Sequence, residues 1–276
     1  MSYSNEIEAA SGAAVAAGTE AHLKNRIASR WNDRSPDYDN DFGHGFCDER
    51  HRTLWRDALA RNAEPREGLR VLDVGCGTGF LSLLLAELGC TVTGVDLAPE
   101  MLARAQSKAE AAGLEATFAP GDAENPPFAE GTFDLIVCRH VVWTLPDPEA
   151  AFRNWHRLLA PGGRLMPVEG SWTPRTPNER FRARLSAVLE SLFPTPGRDA
   201  DWQTTYPGNA SNLPYFGGVL AQTLATALRG AGFEILRTDG LDEVIAHERS
   251  RAPLGRKLMY GPGRRYLIVA QKGKDQ

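Results

Sequence analysis

The chain is predicted to be an α/β protein, built on a seven-stranded, mostly parallel sheet with helices on both faces. An N-terminal helical cap precedes the sheet, and an insertion follows the fifth strand. Two observations carry this prediction. Short apolar runs alternate with helical patterns along most of the chain, the rhythm of parallel strands joined by right-handed crossovers. Within Val71–Gly79 (VLDVGCGTG) a strand runs into glycines at every second position, and the next strand ends on Asp96, twenty-one residues after Gly75. The first run is too short for a helix and rich in Val and Leu, as a strand buried on both faces is.

Residues 1–18, rich in Ala, Gly and Ser, read as a disordered tail, and 19–276 as a single domain. The tail lacks the basic start and continuous apolar core of a signal peptide. In the cap, residues 19–66, helices Glu20–Trp31 and Glu49–Asn62 flank an irregular segment, Asn32–Asp48. The core, residues 67–170, opens with the strand before Gly75. The helix from Phe80 to Leu88 follows, with Thr78 placed to cap it. Strand Thr91–Val95 leads into helix Ala98–Ala112, which has Pro99 and Glu100 in its first turn and Gly113 at its end. Strands Glu115–Ala119 and Phe133–Cys138 come next. Helix Glu149–Leu159 is stopped by Pro161-Gly162-Gly163, and Arg164–Val168 is the fifth strand.

Residues 171–218 break the rhythm. Helix Asn178–Leu192 precedes a long stretch rich in Pro, Gly and aromatic residues, and a structureless run of that length in a compact domain reads as a lid or binding loop. Residues 219–276 return to the sheet through helix Val219–Ala231, strand Phe233–Arg237 and a last strand, Arg265–Ala270.

Composition narrows the class. Hydrophobic content of 42% and charged content of 24% are those of a soluble globule. A net charge of −4 supplies no field to draw the chain to nucleic acid or anionic lipid. Arg249, Arg251, Arg256, Lys257, Arg264 and Arg265 cluster near the end and read as a solvated face rather than an anion-binding patch. Cys47, Cys76, Cys90 and Cys138 lie in dissimilar contexts, which suits reduced thiols in a cytoplasm. No apolar run approaches the ~18 residues of a membrane span. A cytoplasmic monomer or homodimer, with neither a nucleic-acid nor a membrane partner, is the expectation.

The glycine spacing bears on the ligand. A dinucleotide fold wants G-x-G-x-x-G with pyrophosphate on the helix N-terminus, whereas this chain has G-x-G-x-G. Gly75, Gly77 and Gly79 form a turn that a ligand can approach closely. Asp73, two residues before the first glycine, is ill suited to a pyrophosphate and suits an ammonium group. Asp96 is placed to accept hydrogen bonds from both hydroxyls of a ribose. An adenosine with an amino-acid tail, S-adenosylmethionine, meets both demands at the carboxyl end of the strands, where such sheets bind ligands.

From roughly Trp31 to Gln271 the sequence resembles the class I S-adenosylmethionine-dependent methyltransferases, in their small-molecule branch. VLDVGCGTG is similar to that family's first motif and VTGVDLAPEML (Val92–Leu102) to its second. GDAENPPFAEGTFDLIVCRHVVWTLPDP (Gly121–Pro148) resembles the third and fourth, and LLAPGGRL (Leu158–Leu165) the turn into the fifth strand. The resemblance implies a Rossmann-like fold, S-adenosylmethionine as cofactor with S-adenosylhomocysteine as product, and methyl transfer to a small-molecule acceptor. It implies that Gly75, Cys76 and Gly77 form the cofactor turn and that Asp122 and Ala123 hold the adenine. Leu97 or Met101 would pack on an adenine face, and Tyr38 would cover the cofactor. Arg139 and His140, after the fourth strand, would face the sulfonium and the incoming nucleophile.

Methyl transfer is a direct displacement, so holding the reactants in line supplies much of the catalysis. A base is needed only when the acceptor arrives protonated. His140 titrates in the right range for that role, and reads equally as a contact to the cofactor. His44, between Gly43 and Gly45, is the second candidate for proton transfer. His44, Cys47 and His51 invite a metal reading, but no fourth ligand has convincing spacing and no metal is expected. Trp172, Trp202, Tyr206, Tyr215 and Phe216 in the insertion could line a pocket for a flat or cationic substrate, or simply pack on the sheet.

The resulting expectation is an enzyme that methylates N, O or S of a small molecule, a chemistry that fits biosynthesis. Its rivals are a cofactor-binding regulatory or partner protein without turnover, and a nicotinamide-dependent oxidoreductase, which the glycine spacing disfavours. A nucleic-acid methyltransferase is disfavoured by net acidity. The Asn125–Phe128 run (NPPF) follows the third strand, whereas amino-directed nucleic-acid enzymes carry such a run after the fourth.

Overall fold

The computed structural model describes residues 20–174, 176–192, 213–258 and 265–273. Its strands are β1 (Arg70–Val74), β2 (Thr91–Asp96), β3 (Ala116–Pro120), β4 (Phe133–Arg139), β5 (Leu159–Gly170), β6 (Phe233–Asp239) and β7 (Arg265–Lys272). They form a seven-stranded sheet of order β3-β2-β1-β4-β5-β7-β6. The first five run parallel, and β7 is antiparallel to both β5 and β6.

The side chains of adjacent strand residues point to opposite faces, and both faces are covered. On β4, Ile136 and Cys138 face one layer while Leu135 and Val137 face the other; on β7, Ile268 and Ala270 oppose Leu267 and Val269. The first layer holds α5 (Pro148–Leu158) and α7 (Ala221–Gly230), with Phe152, Trp155 and Leu228 fully buried. The second holds α2 (Glu49–Ala63) and α3 (Phe80–Glu87), with Trp55, Leu59, Leu81 and Leu84 against the sheet. A helix over residues 20–34, here α1, lies over the carboxyl ends of the strands, where Leu23 and Ile27 pack near Trp143.

Local chemistry sets the helix ends. Asp48 caps α2 by accepting from the His51 amide, and Asp147 caps α5 from the Ala150 amide. Helix α4 (Pro99–Ala112) begins on proline and ends at Gly113 in the left-handed region. The Thr78 cap does not form: Gly79 (φ 83) is the cap residue of α3, without a side-chain bond, and the Thr78 hydroxyl turns to Asp39 instead.

The described part of the insertion contains α6 (Pro177–Leu192). Residues 1–18 and 193–212, which include the expected tail, Trp202 and Tyr206, lie outside the described residues, as does Arg264. Two helices were not anticipated, α8 (Asp242–Arg251) and α9 (Leu254–Lys257). They carry Arg249, Arg251, Arg256 and Lys257 of the basic cluster, while Arg265 opens β7, and this placement changes its meaning. Arg256 and Arg265 are part of a cavity wall rather than a solvated face.

Candidate active site

A cavity of about 600 Å³ opens at the carboxyl ends of the strands, beneath α1. Its first end is built by β1 and β2. Asp96 accepts the Gly77 amide on Oδ2 and the Ala98 amide on Oδ1, both at 2.9 Å. Burial raises its pKa, and these amides oppose the rise. Each carboxylate oxygen keeps a further lone pair for a vicinal diol. Gly77 (φ 54) is bare toward the cavity, and a Cβ built there would meet no protein atom within 4 Å. Gly75 (φ 63) is packed, since a Cβ there would lie 2.4 Å from Val141 Cγ2. Leu97, Met101, Asp122 and Ala123 line the same end. The Asp122 carboxylate is shared: Lys24 of α1 donates to Oδ2 at 2.8 Å and the Glu124 amide to Oδ1 at 2.9 Å. A bare glycine edge beside a carboxylate that still has acceptor capacity fits an adenosine ligand.

Two of the expected contacts are displaced. Asp73 shares the strand parity of Val71, so its side chain turns toward α3. It accepts the Ser82 hydroxyl at 2.6 Å and the Ser82 amide at 3.1 Å. It is 1% exposed, lies outside the cavity lining, and burial pushes it up to about 7. It fastens α3 to β1 rather than meeting an ammonium group. The Cys76 side chain is likewise buried under the turn, within 2.9 Å of the space a Cβ on Gly94 would take.

The second end is built by β4, β7 and the cap. Arg139 has the parity of Leu135 and Val137, so its guanidinium emerges on the α2–α3 side, 3.6 Å from the Phe80 ring centroid and 5.5 Å from that of Trp55. It donates to the Gly43 and His44 carbonyls at 2.7 and 3.0 Å, and its buried Nη1 has no partner. Tyr38 stacks on His44 at 4.5 Å with Trp31 edge-on at 5.9 Å, which closes the cavity from above. His140 sits in the left-handed region (φ 58), its amide bonded to the Val168 carbonyl and its ring 5.1 Å from Trp172. Burial, with Arg139 and Arg265 alongside, holds the His140 imidazole neutral, and does the same to His44, down to about 3.

A residue missed in the sequence supports this loop. Glu169, fully buried near the end of β5, accepts the Val141 and Val142 amides at 2.8 Å each and so fixes the turn that presents His140. The available signal was a single carboxylate inside an apolar strand. Arg265 and Arg256 were assigned to the surface, yet Arg265 pairs with buried Glu248 at 2.5 Å and Arg256 stands 3.9 Å from Glu190. Of the insertion aromatics, Trp172 reaches the cavity, whereas Phe216 packs behind it on Trp143 and Tyr215 lies against the core. The His44–Cys47–His51 trio does not converge. His51 is buried on Glu248 at 3.0 Å. Cys47, Asp48 and His247 do approach one another, with Asp48 engaged by His247 and Arg251. Among the described residues no helix is long and apolar enough to cross a membrane.

A doubly wound sheet of this order, with a glycine turn after β1 and a carboxylate ending β2, sets the cavity at the carboxyl ends of the strands, where such α/β proteins bind their ligands. Residues 72–166 match a methyltransferase domain model. The chain is 43% identical to the demethylmenaquinone methyltransferase of Thermus thermophilus over 142 residues, 51% of this chain and 63% of that protein. It is 43% identical to the ubiquinone biosynthesis O-methyltransferase of a Caulobacter species over 141 residues, 50% of this chain and 54% of that protein. The aligned stretches thus span less than two thirds of these relatives' length. The crystal structure of the SpnF cyclase shares the fold with a TM-score of 0.62 and 22% identity, over 90% of this chain and 96% of that one. A methyltransferase structure from Methanosarcina mazei does so at 0.51 and 23%, over 76% and 95%. Over residues 72–166 the chain is thus similar to methyltransferases, the kind of domain whose cofactor is S-adenosylmethionine.

Proposed function

We propose that this protein transfers a methyl group from S-adenosylmethionine to N, O or S of a small-molecule acceptor. The observation that carries the reading is one continuous cavity, joining the Asp96–Gly77 corner to an aromatic and arginine-lined chamber beyond β4. Fold alone does not decide the reaction, since SpnF is named a cyclase on the same sheet.

Bound there, the cofactor supplies an electrophilic methyl group on a sulfonium. Asp96 would accept the ribose hydroxyls, the Gly77 backbone would admit the tail, and Leu97, Met101, Asp122 and Ala123 would surround the adenine. Tyr38 and Trp31 close over the site and exclude water. His140 and Trp172 wall the acceptor side and hold the nucleophile in line, which is where most of the rate enhancement arises. A neutral His140 Nε2 is able to accept a proton, but Arg139 and Arg265 disfavour the imidazolium that would result. We assign His140 to positioning before proton transfer, and His44 to the cap that carries Tyr38.

Calorimetry with S-adenosylhomocysteine tests the reading. The wild type should bind it and not NAD, and Asp96→Ala should lose two charge-assisted bonds of about 1.5–3 kcal/mol each. Transfer of isotope-labelled methyl into small-molecule extracts then reports turnover. Binding without transfer would leave a cofactor-binding regulator, and NAD binding would sink the assignment altogether.

A further inference from the structure

The charges of the cavity are segregated. Around the nucleoside end stand Asp96, Asp122 and Glu124 with Lys24 paired to the last two, and Arg30 of α1 also lines the cavity. Around the other end stand Arg139, Arg256 and Arg265 against Glu190, Glu248 and Asp41, and Asp41 is already paired with Arg34. Glu248 serves both Arg265 and His51 through one oxygen, while its Oε2 is buried without a hydrogen-bond partner and does not reach Arg139. Arg139 has no carboxylate partner among the described residues, only two backbone carbonyls, and its Nη1 is buried without any partner. Burying a cation without a counter-charge is costly, and buried charges are ordinarily paired. Strand parity leaves it no alternative, because the guanidinium is held between Phe80 and Trp55, with Arg265 flanking the same Trp55 ring at 5.9 Å.

We propose that the acceptor enters as an anion, a small planar molecule bearing a carboxylate or an ionised acidic hydroxyl, and that Arg139, backed by Arg265 and Arg256, receives this oxyanion. The inference rests on the methyltransferase reading and names its substrate class. Trp143 and Trp172 supply flat apolar wall beside the charge. The cofactor does not cancel the excess, because its ammonium and sulfonium outweigh its single carboxylate. The arginines that keep the two imidazoles neutral also lower the pKa of an acceptor hydroxyl. For an acceptor methylated at that oxygen, the oxyanion forms the new bond to the methyl carbon. In that same displacement the sulfur–methyl bond would break with its electron pair left on sulfur, and no proton would have to be removed.

The same chemistry has a second source, the cofactor's own carboxylate, and calorimetry on the protein loaded with S-adenosylhomocysteine separates the two. The probes are 2-naphthoate and its uncharged counterpart 2-naphthamide. The acid should bind about tenfold more tightly than the amide. Arg139→Gln should bring the two within about threefold while S-adenosylhomocysteine affinity stays within about threefold of wild type. Arg256→Gln, at the more exposed rim, should reduce the acid's advantage by roughly threefold, and covers the case in which the Arg139 variant fails to fold. Equal binding of acid and amide, or binding of neither, overturns the proposal, as does an acid preference unchanged in the folded variants. Loss of S-adenosylhomocysteine in Arg139→Gln with the acid preference intact also overturns it, by assigning Arg139 to the cofactor. A wild type that does not bind S-adenosylhomocysteine would instead refute the methyltransferase reading.

Discussion

The Thr78 hydroxyl donates to Asp39 Oδ1 at 2.6 Å, so the glycine turn is tied directly to the segment that carries Tyr38. Lys108 of α4 holds the other Asp39 oxygen at 2.9 Å. The cap is therefore latched onto the turn that we propose meets the cofactor. Thr78→Val keeps the shape and removes the donor. A hydrogen bond to a charged group is worth about 1.5–3 kcal/mol, and the exposure of Asp39 reduces this to about 1 kcal/mol. S-adenosylhomocysteine affinity should fall roughly fivefold, mostly through faster dissociation, as stopped-flow fluorescence would read. An unchanged off-rate would mean that the latch does not retain the ligand.

Gly75 and Gly77 should fail for different reasons when replaced. Both have positive φ, so alanine costs each about 1–2 kcal/mol. At Gly75 the new methyl also strikes Val141, adding overpacking of about 1–3 kcal/mol. At Gly77 it meets only the cavity. Gly75→Ala should therefore lower the melting temperature markedly, whereas Gly77→Ala should be mildly destabilised and lose most of its S-adenosylhomocysteine binding. Equal losses of stability in calorimetric melts would contradict the packing difference.

Stability should fall with rising pH through a group the sequence did not advertise. Burial pushes Glu169 up to about 8 against the pull of the Val141 and Val142 amides, from an ordinary value of 4.5. The folded state thus binds the extra proton between these values, so the contribution is full at low pH and is lost as pH rises through about 8. Asp73, pushed up to about 7, acts in the same direction. His44 and His140, whose imidazoles the fold keeps neutral, oppose them below about pH 6.5, and Glu248, which burial would raise but Arg265 and His51 draw down to about 2, opposes them only in acid. Glu169→Gln preserves an acceptor for both amides and should flatten the decline in melting temperature between about pH 5 and pH 8. A variant with the wild-type slope would reassign the titration to Asp73.

The sheet was legible because β1, β2, β4 and β5 are apolar runs with clear stops, and boundaries differed by a residue or two at most of them. The Gly75–Gly77 turn and the place of Asp96 at the end of β2 were equally legible, since their geometry is local. The errors share a cause. Asp73 was given a ligand although strand alternation sends it to Ser82, and Thr78 was given a helix although Asp39, far away in sequence, competes for it. Glu169, Arg256 and Arg265 acquire their roles from β5 and β7 pairing and from α6–α9 packing, contacts that no local pattern announces. Helix α8 (DEVIAHERSR) was missed because polar residues occupy most of its surface and leave little amphipathic signal.

The packing of α9 on α6 offers a final test of where acceptor selection resides. Gly255 is buried there, and a Cβ on it would lie 2.7 Å from Glu190 Cγ and 3.1 Å from the Ser186 carbonyl oxygen. Helix propensity alone favours alanine over glycine by about 1 kcal/mol. The clash costs about 1–3 kcal/mol, because the Ser186 oxygen is backbone and cannot rotate away. The clash should win, so Gly255→Ala is expected to melt lower than wild type. Relief of the contact moves α9 and carries Arg256 away from Glu190 and the Phe42 carbonyl. Asp96 and Gly77 stand at the opposite end of the cavity and are untouched. S-adenosylhomocysteine affinity should therefore be unchanged, while the preference for 2-naphthoate over 2-naphthamide narrows. A higher melting temperature with intact acid preference would show that helix propensity outweighs the contact at Gly255 and that Arg256 does not depend on it.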